Sequence, residues 1–279
     1  MAHYLDPKND LVFKKIFGEH PVLLVSFLNA LMPLEPNQLI ESVEYLPSEL
    51  VPDNPAKKYS IVDVRCKDNH GRHFIVEMQM YWSKAFYNRM VFNVSKAYVR
   101  QLNKAENYIL LQPVYGLGIL NENFDYKTKE FYHHYQTINR NNTDEVIKGL
   151  EFVLVELEKF IPEKIADRKM AVLWLRFLKE MVDQTTHVDD ELLANEYIHQ
   201  AIDICEEGGF TPEELEMYEK YWDSIRTEKA LLSVSHDEGK AEGKIEEKLE
   251  IARNMKKDDM PISKIMIYTN LSPDEIEQL

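Results

Sequence analysis

The sequence predicts an α/β fold followed by a mostly helical C-terminal region, and three stretches carry that prediction. Residues 59–66 and 74–80 are short runs rich in β-branched and aromatic side chains, joined by the Gly-containing turn 67–72, so they read as a β-hairpin. From Ser83 to Ala105, Phe86, Met90, Val91, Val94, Ala97, Tyr98 and Leu102 recur at spacings of three and four, the mark of a long amphipathic helix. Residues 163–230 are mostly helical by composition, with Pro212 at a first helical position behind Thr211 as its cap.

The other elements follow in order. A first helix covers 9–17, capped by Asn9 or Asp10 and closed by Gly18, and a second runs from Pro21 to Leu31, ending before Pro33. A strand around 40–46 precedes the polar, Pro-containing loop 47–58 and then the hairpin. Beyond the long helix, 113–120 reads as a buried strand, 129–138 as another and 152–157 as a further one. Residues 237–250 form a charged stretch, a solvated, self-associating helix or a linker; its Gly239, Gly243 and Lys244 lack both the preceding strand and the spacing of a phosphate loop. In the tail, two short helices joined through Asn270 and Leu271, with Ser272 capping and Pro273 at the first helical position, have a helix-turn-helix outline. A helical hairpin packed on itself fits that outline equally, because Asp274, Glu275 and Glu277 would face phosphates badly. The expected divisions are 1–160 for the α/β domain, 161–235 for a helical region and 236–279 for the charged helix and tail.

The 279 residues are 44% hydrophobic and 29% charged, ordinary for a soluble globular protein. No apolar run approaches about 18 residues, so no spanning helix is expected, and the N-terminus lacks a signal-peptide pattern. Cys66 and Cys205 are far apart and outside any metal or redox motif, which suits a reduced, cytoplasmic protein. The formal charge of −15 is unevenly placed: residues 1–120 hold 13 basic and 12 acidic residues, the remainder 20 and 36. Inside 57–104, ten basic residues meet only Asp63, Asp68 and Glu77, a local +7. Such a stretch suits a polyphosphate, although a solvated basic face explains it as simply.

Three polar side chains inside the hairpin carry the chemistry: Asp63 on its first strand, Glu77 and Gln79 on its second. Side chains on a strand alternate, so Glu77 and Gln79 share a face. With Asp63 on that face of the neighbouring strand, two carboxylates and an amide converge among apolar residues. Carboxylates so placed repel each other and are poorly hydrated, and a hard divalent cation such as Mg²⁺ relieves both problems. The same alternation fits a sheet with one wet face; the placement of an Asp among Ile61, Val62 and Val64 favours the metal. His133 and His134 are adjacent on a strand and point to opposite faces, which makes them a poor metal pair. Tyr98 reads as a core aromatic.

The order helix, strand, strand with Asp63, strand with Glu77, Met78 and Gln79, helix, strand resembles a restriction-endonuclease-like core, a mixed sheet flanked by helices with a PD-(D/E)XK signature. More closely, the chain resembles the bacterial family of recombination-promoting nucleases and transposases. That resemblance rests on residues 6–10 leading into 13–18, on Ile61 to Val64, on Ile75 to Gln79, on a following helix with Arg89, Tyr98 and Gln101, and loosely on the tail from Ile262. It implies a metal-dependent DNA endonuclease that hydrolyses phosphodiester bonds. Asp63 and Glu77 would hold Mg²⁺, or another divalent ion such as Mn²⁺ or Ca²⁺, with the Met78 carbonyl and Asp10 as further ligand candidates. Gln79 stands where the motif usually has lysine, and Val62 where it has proline; an amide orients water or phosphate but brings no charge. Lys84, Arg89, Lys14 and Arg100 are the expected phosphate contacts. The expected partners are DNA and a second copy through the C-terminal helices. The competing reading is a catalytically degenerate nuclease fold kept as a DNA-binding or assembly module.

Overall fold

The computed structural model describes residues 3–50, 58–165, 168–183 and 185–279. Its helices are α1 (Asp10–Glu19), α2 (Pro21–Leu31), α3 (Lys84–Val99), α4 (Lys169–Glu180), α5 (Asp190–Leu193), α6 (Glu196–Ile204), α7 (Pro212–Lys257), α8 (Ile262–Thr269) and α9 (Pro273–Glu277). Its strands are β1 (Val43–Tyr45), β2 (Glu49–Leu50), β3 (Ser60–Ile61), β4 (Val64–Asp68), β5 (His73–Gln79), β6 (Val114–Leu120), β7 (Tyr132–Asn139) and β8 (Asn142–Glu156). Six strands form one sheet in the order β1-β4-β5-β6-β8-β7, and β2 pairs with β3 in a separate two-stranded sheet. β5, β6 and β8 run parallel, whereas β1, β4 and β7 join antiparallel, so the sheet is mixed. The chain divides into two compact units, Met1–Trp222 and Asp223–Leu279.

Both faces of the sheet are covered, as its nearly unbroken apolar strands require. Ile75, Leu120 and Leu154 point to one face and pack under Phe86, Met90, Val94 and Ala97 of α3, with Tyr98 against the same cluster. β6 makes that packing close: a methyl group on Gly116 would lie 2.9 Å from Met90 and Val94, and one on Gly118 2.7 Å from Leu154 and 3.0 Å from Phe86. Helix α3 therefore rests on bare backbone at the strand beside β5. The alternate residues Val64, Cys66, Phe74 and Val76 are buried on the other face, where α1 approaches β4. There Phe17 stacks on Phe27, and Trp174 meets both rings at 5.4 and 5.5 Å, which joins α1 and α2 to α4.

Several local signals act as read. Asn9 caps α1 by accepting from the Leu11 N–H, α2 spans Pro21–Leu31, and Ser272 and Glu275 form a full capping box on α9. The strand expected over 59–66 is different: it breaks at Val62 and Asp63, β3 leaving to pair with β2 while β4 alone joins the large sheet. A run of β-branched residues conceals such a break because each half satisfies strand preference separately. The expected loop 47–58 contains β2, and its residues 51–57, with the basic Lys57, lie outside the described residues. The long helix ends at Val99, not Ala105, and Gly18 falls inside α1. The charged stretch is part of α7, a 46-residue helix. In the second unit, Ala252, Ile265, Leu271 and Ile276 make a small core of their own. Among the described residues, no helix is long and apolar enough to cross a membrane.

Candidate active site

The register of β4 against β5, Val64 opposite Val76, puts Asp63 beside Glu77 just where β4 begins. The bend at Asp63 frees its carboxylate from the ladder, and Oδ2 accepts a 2.7 Å hydrogen bond from the Met78 N–H. N–H and C=O of one strand residue point to the same side, so the Met78 carbonyl also faces the edge that Asp63 occupies. The Asp63 side chain is 21% exposed. Burial first, then the charges of Glu77 and Asp10, push its carboxyl up to about 7, while the Met78 N–H and Lys14 pull the other way.

Glu77 is buried and held from above by α3. Its Oε1 accepts from Asn93 Nδ2 at 2.9 Å, and its Oε2 accepts from Arg89 Nε and Nη2 at 3.3 and 3.2 Å. Arg89 Nη2 also donates to Gln79 Oε1 at 2.5 Å, and Gln79 Nε2 donates to the Tyr81 carbonyl at 3.0 Å. The Gln79 amide is thus fixed at both ends. Arg89 and Asn93 are four apart and share a helix face, which is how one helix serves one carboxylate with two donors.

From the opposite side, α1 brings Asp10 and Lys14, an i, i+4 ion pair at 2.7 Å, and Lys14 Nζ lies 3.9 Å from Asp63 Oδ1. The structure therefore gathers Asp63, Glu77, Gln79, Met78, Asp10, Lys14 and Arg89 in one place. Two expected phosphate contacts lie elsewhere. Lys84 opens α3 exposed, turned by about 140° around the helix from Arg89. Arg100 caps the other end of α3, where its charge, after burial, depresses the Arg65 pKa. Asn93 was absent from the expected set. It lies three residues beyond Met90 and seven beyond Phe86, inside the apolar stripe of α3, and is wholly buried. His133 and His134 do separate to the two faces, to Glu156 and Glu151 respectively.

Among the described residues no three His, Cys, Asp or Glu side chains are grouped closely enough to hold a metal. The donor set nonetheless suits a hard cation, with two carboxylates and a carbonyl at one edge, one carboxylate resisting ionisation through burial and its acidic neighbours.

A family model described as PD-(D/E)XK nuclease family transposase matches residues 7–234. No match is found among curated proteins or among solved structures. Nucleases of the PD-(D/E)XK type generally use divalent metal ions, and DNA is the substrate class that such a family suggests. With the mixed sheet, its flanking helices and the acidic edge of β4 and β5 already in place, the match over most of the chain makes it a member of the PD-(D/E)XK nuclease family of transposases.

Proposed function

We propose that this chain is a divalent-metal-dependent DNA endonuclease, with Mg²⁺ as its physiological ion. The observation that carries the reading is the convergence of Asp63, at the start of β4, with Glu77 of β5, the Asp63 carboxyl raised by burial and then by the Glu77 charge, beside an amide fixed at both ends. Asp63 and Glu77 would hold the ion together with the Met78 carbonyl. When bound, a divalent ion neutralises phosphate charge and makes water more acidic.

The chain's own groups do the rest. The Met78 N–H keeps the Asp63 carboxylate turned toward Glu77, and Asn93 keeps Glu77 in one rotamer. Gln79 orients the attacking water or a phosphate oxygen, and Arg89, exposed at one edge, offsets the charge that builds on the phosphate as one P–O bond forms and another breaks. Hydrolysis leaves a phosphate monoester and a free hydroxyl. Asp10 acts through Lys14, setting the cation that faces Asp63.

One observation favours a second reading. Arg89 already bridges Glu77 and Gln79, the arrangement expected of a degenerate site kept as a DNA-binding or assembly module. Incubating supercoiled plasmid with Mg²⁺ and wild type, Asp63→Ala or Glu77→Ala protein separates the two. Nicking or linearisation by wild type alone supports the nuclease; equal activity of all three, or none from any, sinks it.

A further inference from the structure

The β7–β8 hairpin runs past the end of the sheet. β8 pairs with β6 only over Leu150–Glu156, so the hairpin before Leu150 is held by β7 alone. Thr137, Ile138 and Asn139 pair with Ile147, Val146 and Asn142, and residues 135–145 are exposed throughout. A two-stranded ribbon is only marginally stable by itself in water, so what it carries at its tip is informative.

The turn is Arg140-Asn141. Asn139 is committed to shaping it, Oδ1 accepting from the Asn141 N–H at 3.0 Å and Nδ2 donating to Glu145 at 2.8 Å. Arg140 and Asn141 of the turn, with Asn142 and Thr143 after it, stand exposed and present a guanidinium, two amides and a hydroxyl. Those groups match base edges, Arg pairing with guanine and Asn with adenine. Over 132–149 Arg140 and Lys148 cancel Asp144 and Glu145, so the ribbon adds little attraction for phosphates and suits the reading of bases. A two-stranded ribbon also fits the major groove, about 12 Å wide. His133 is level with Leu154, Gly118 and Glu77 across the sheet. Arg140 lies seven residues farther along the hairpin, roughly 23 Å at strand rise, and three strand spacings, roughly 14 Å, to the side of Glu77, about 27 Å in all. That is less than one turn of duplex, about 34 Å.

We propose that Arg140, Asn141, Asn142 and Thr143, at the tip of this ribbon, enter the major groove of duplex DNA and set base preference within one helical turn of the cleaved bond. The inference rests on the nuclease reading only for DNA as the ligand. Its test is selection from random-sequence duplex in EDTA with the full chain, comparing wild type, Arg140→Ala and the double variant Asn141→Ala/Asn142→Ala, all checked for unchanged thermal melting. Wild type is expected to enrich a short motif. The tip variants are expected to bind random duplex with the same affinity and salt dependence but to lose about tenfold in discrimination at one or two positions. The same motif from all proteins, no motif from wild type, or a uniform loss of affinity with a shallower salt slope overturns the proposal. Because no cutting is needed, a chain that selects a motif and never cleaves loses only the nuclease reading. One that cleaves at unchanged sites in the tip variants loses only this one.

Discussion

Two buried carboxylate centres lie on the α3 face of the same sheet, and their electrostatics are opposite. At the end of β8, Glu156 is fully enclosed and meets Lys159 at 2.6 Å and His133 at 3.1 Å, with the Asp125 N–H at 3.3 Å. At the end of β5, Glu77 faces Arg89 and Asn93 but also Asp63, whose own carboxyl is raised first by burial and then by the charges of Glu77 and Asp10. Compensated charge fixes a strand end. Uncompensated charge leaves a place for a cation from outside.

Substitutions can break this contrast in order of size. Glu156→Ala should leave Lys159 and His133 without their acid and cost about 3–5 kcal/mol of stability, measured by urea unfolding. A loss under about 1 kcal/mol would mean that the β8 centre is no structural anchor. Asp63→Ala and Glu77→Ala should both lower plasmid cleavage at least about 100-fold; the unfolding midpoint stays or rises for Asp63→Ala, whereas Glu77→Ala leaves Arg89 and Asn93 without their acceptor and lowers it. Gly118→Ala drives a methyl group against Leu154 and Phe86 and should cost about 1–3 kcal/mol by overpacking, with cleavage falling because α3 carries Arg89 and Asn93. Arg89→Ala should reduce the cleavage rate about tenfold; a rate increase would identify Arg89 as a plug in the site, not a phosphate contact.

The smallest effect is a matter of pH. A carboxyl with a raised pKa holds its proton longer when folded, so the contribution of Asp63 to metal-free stability is greatest below the ordinary value near 4 and is lost as pH climbs toward about 7. Asp63→Asn keeps an acceptor for the Met78 N–H but removes that penalty. In EDTA at pH 8 it should be more stable than wild type by about 1 kcal/mol, and the advantage should vanish at pH 4. Adding Mg²⁺ should raise the wild-type melting temperature and leave the variant's unchanged.

Much of the contrast could be read from sequence on one side only. Asp63, Glu77 and Gln79 were legible because strand alternation is strict and an aspartate among β-branched residues is out of place. The bend at Asp63 was not, since the residues on either side of it are good strand formers that simply join different sheets. Asn93 was hidden by its position in the apolar stripe of α3. Glu156 was only part of the strand expected over 152–157; its charged partners come from β7 and from the turn after β8, and strand register is a tertiary fact. The flanking helices α1 and α2 were legible almost to the residue because their caps and prolines are local chemistry.

Gly118 lies beside Glu77 in the sheet, touches no substrate in any reading, and sets the height at which α3 stands. A genetic screen for alleles that lose cleavage would therefore return changes at this glycine alongside Asp63 and Glu77. Scored by phenotype alone, a spacer would be indistinguishable from a catalytic residue.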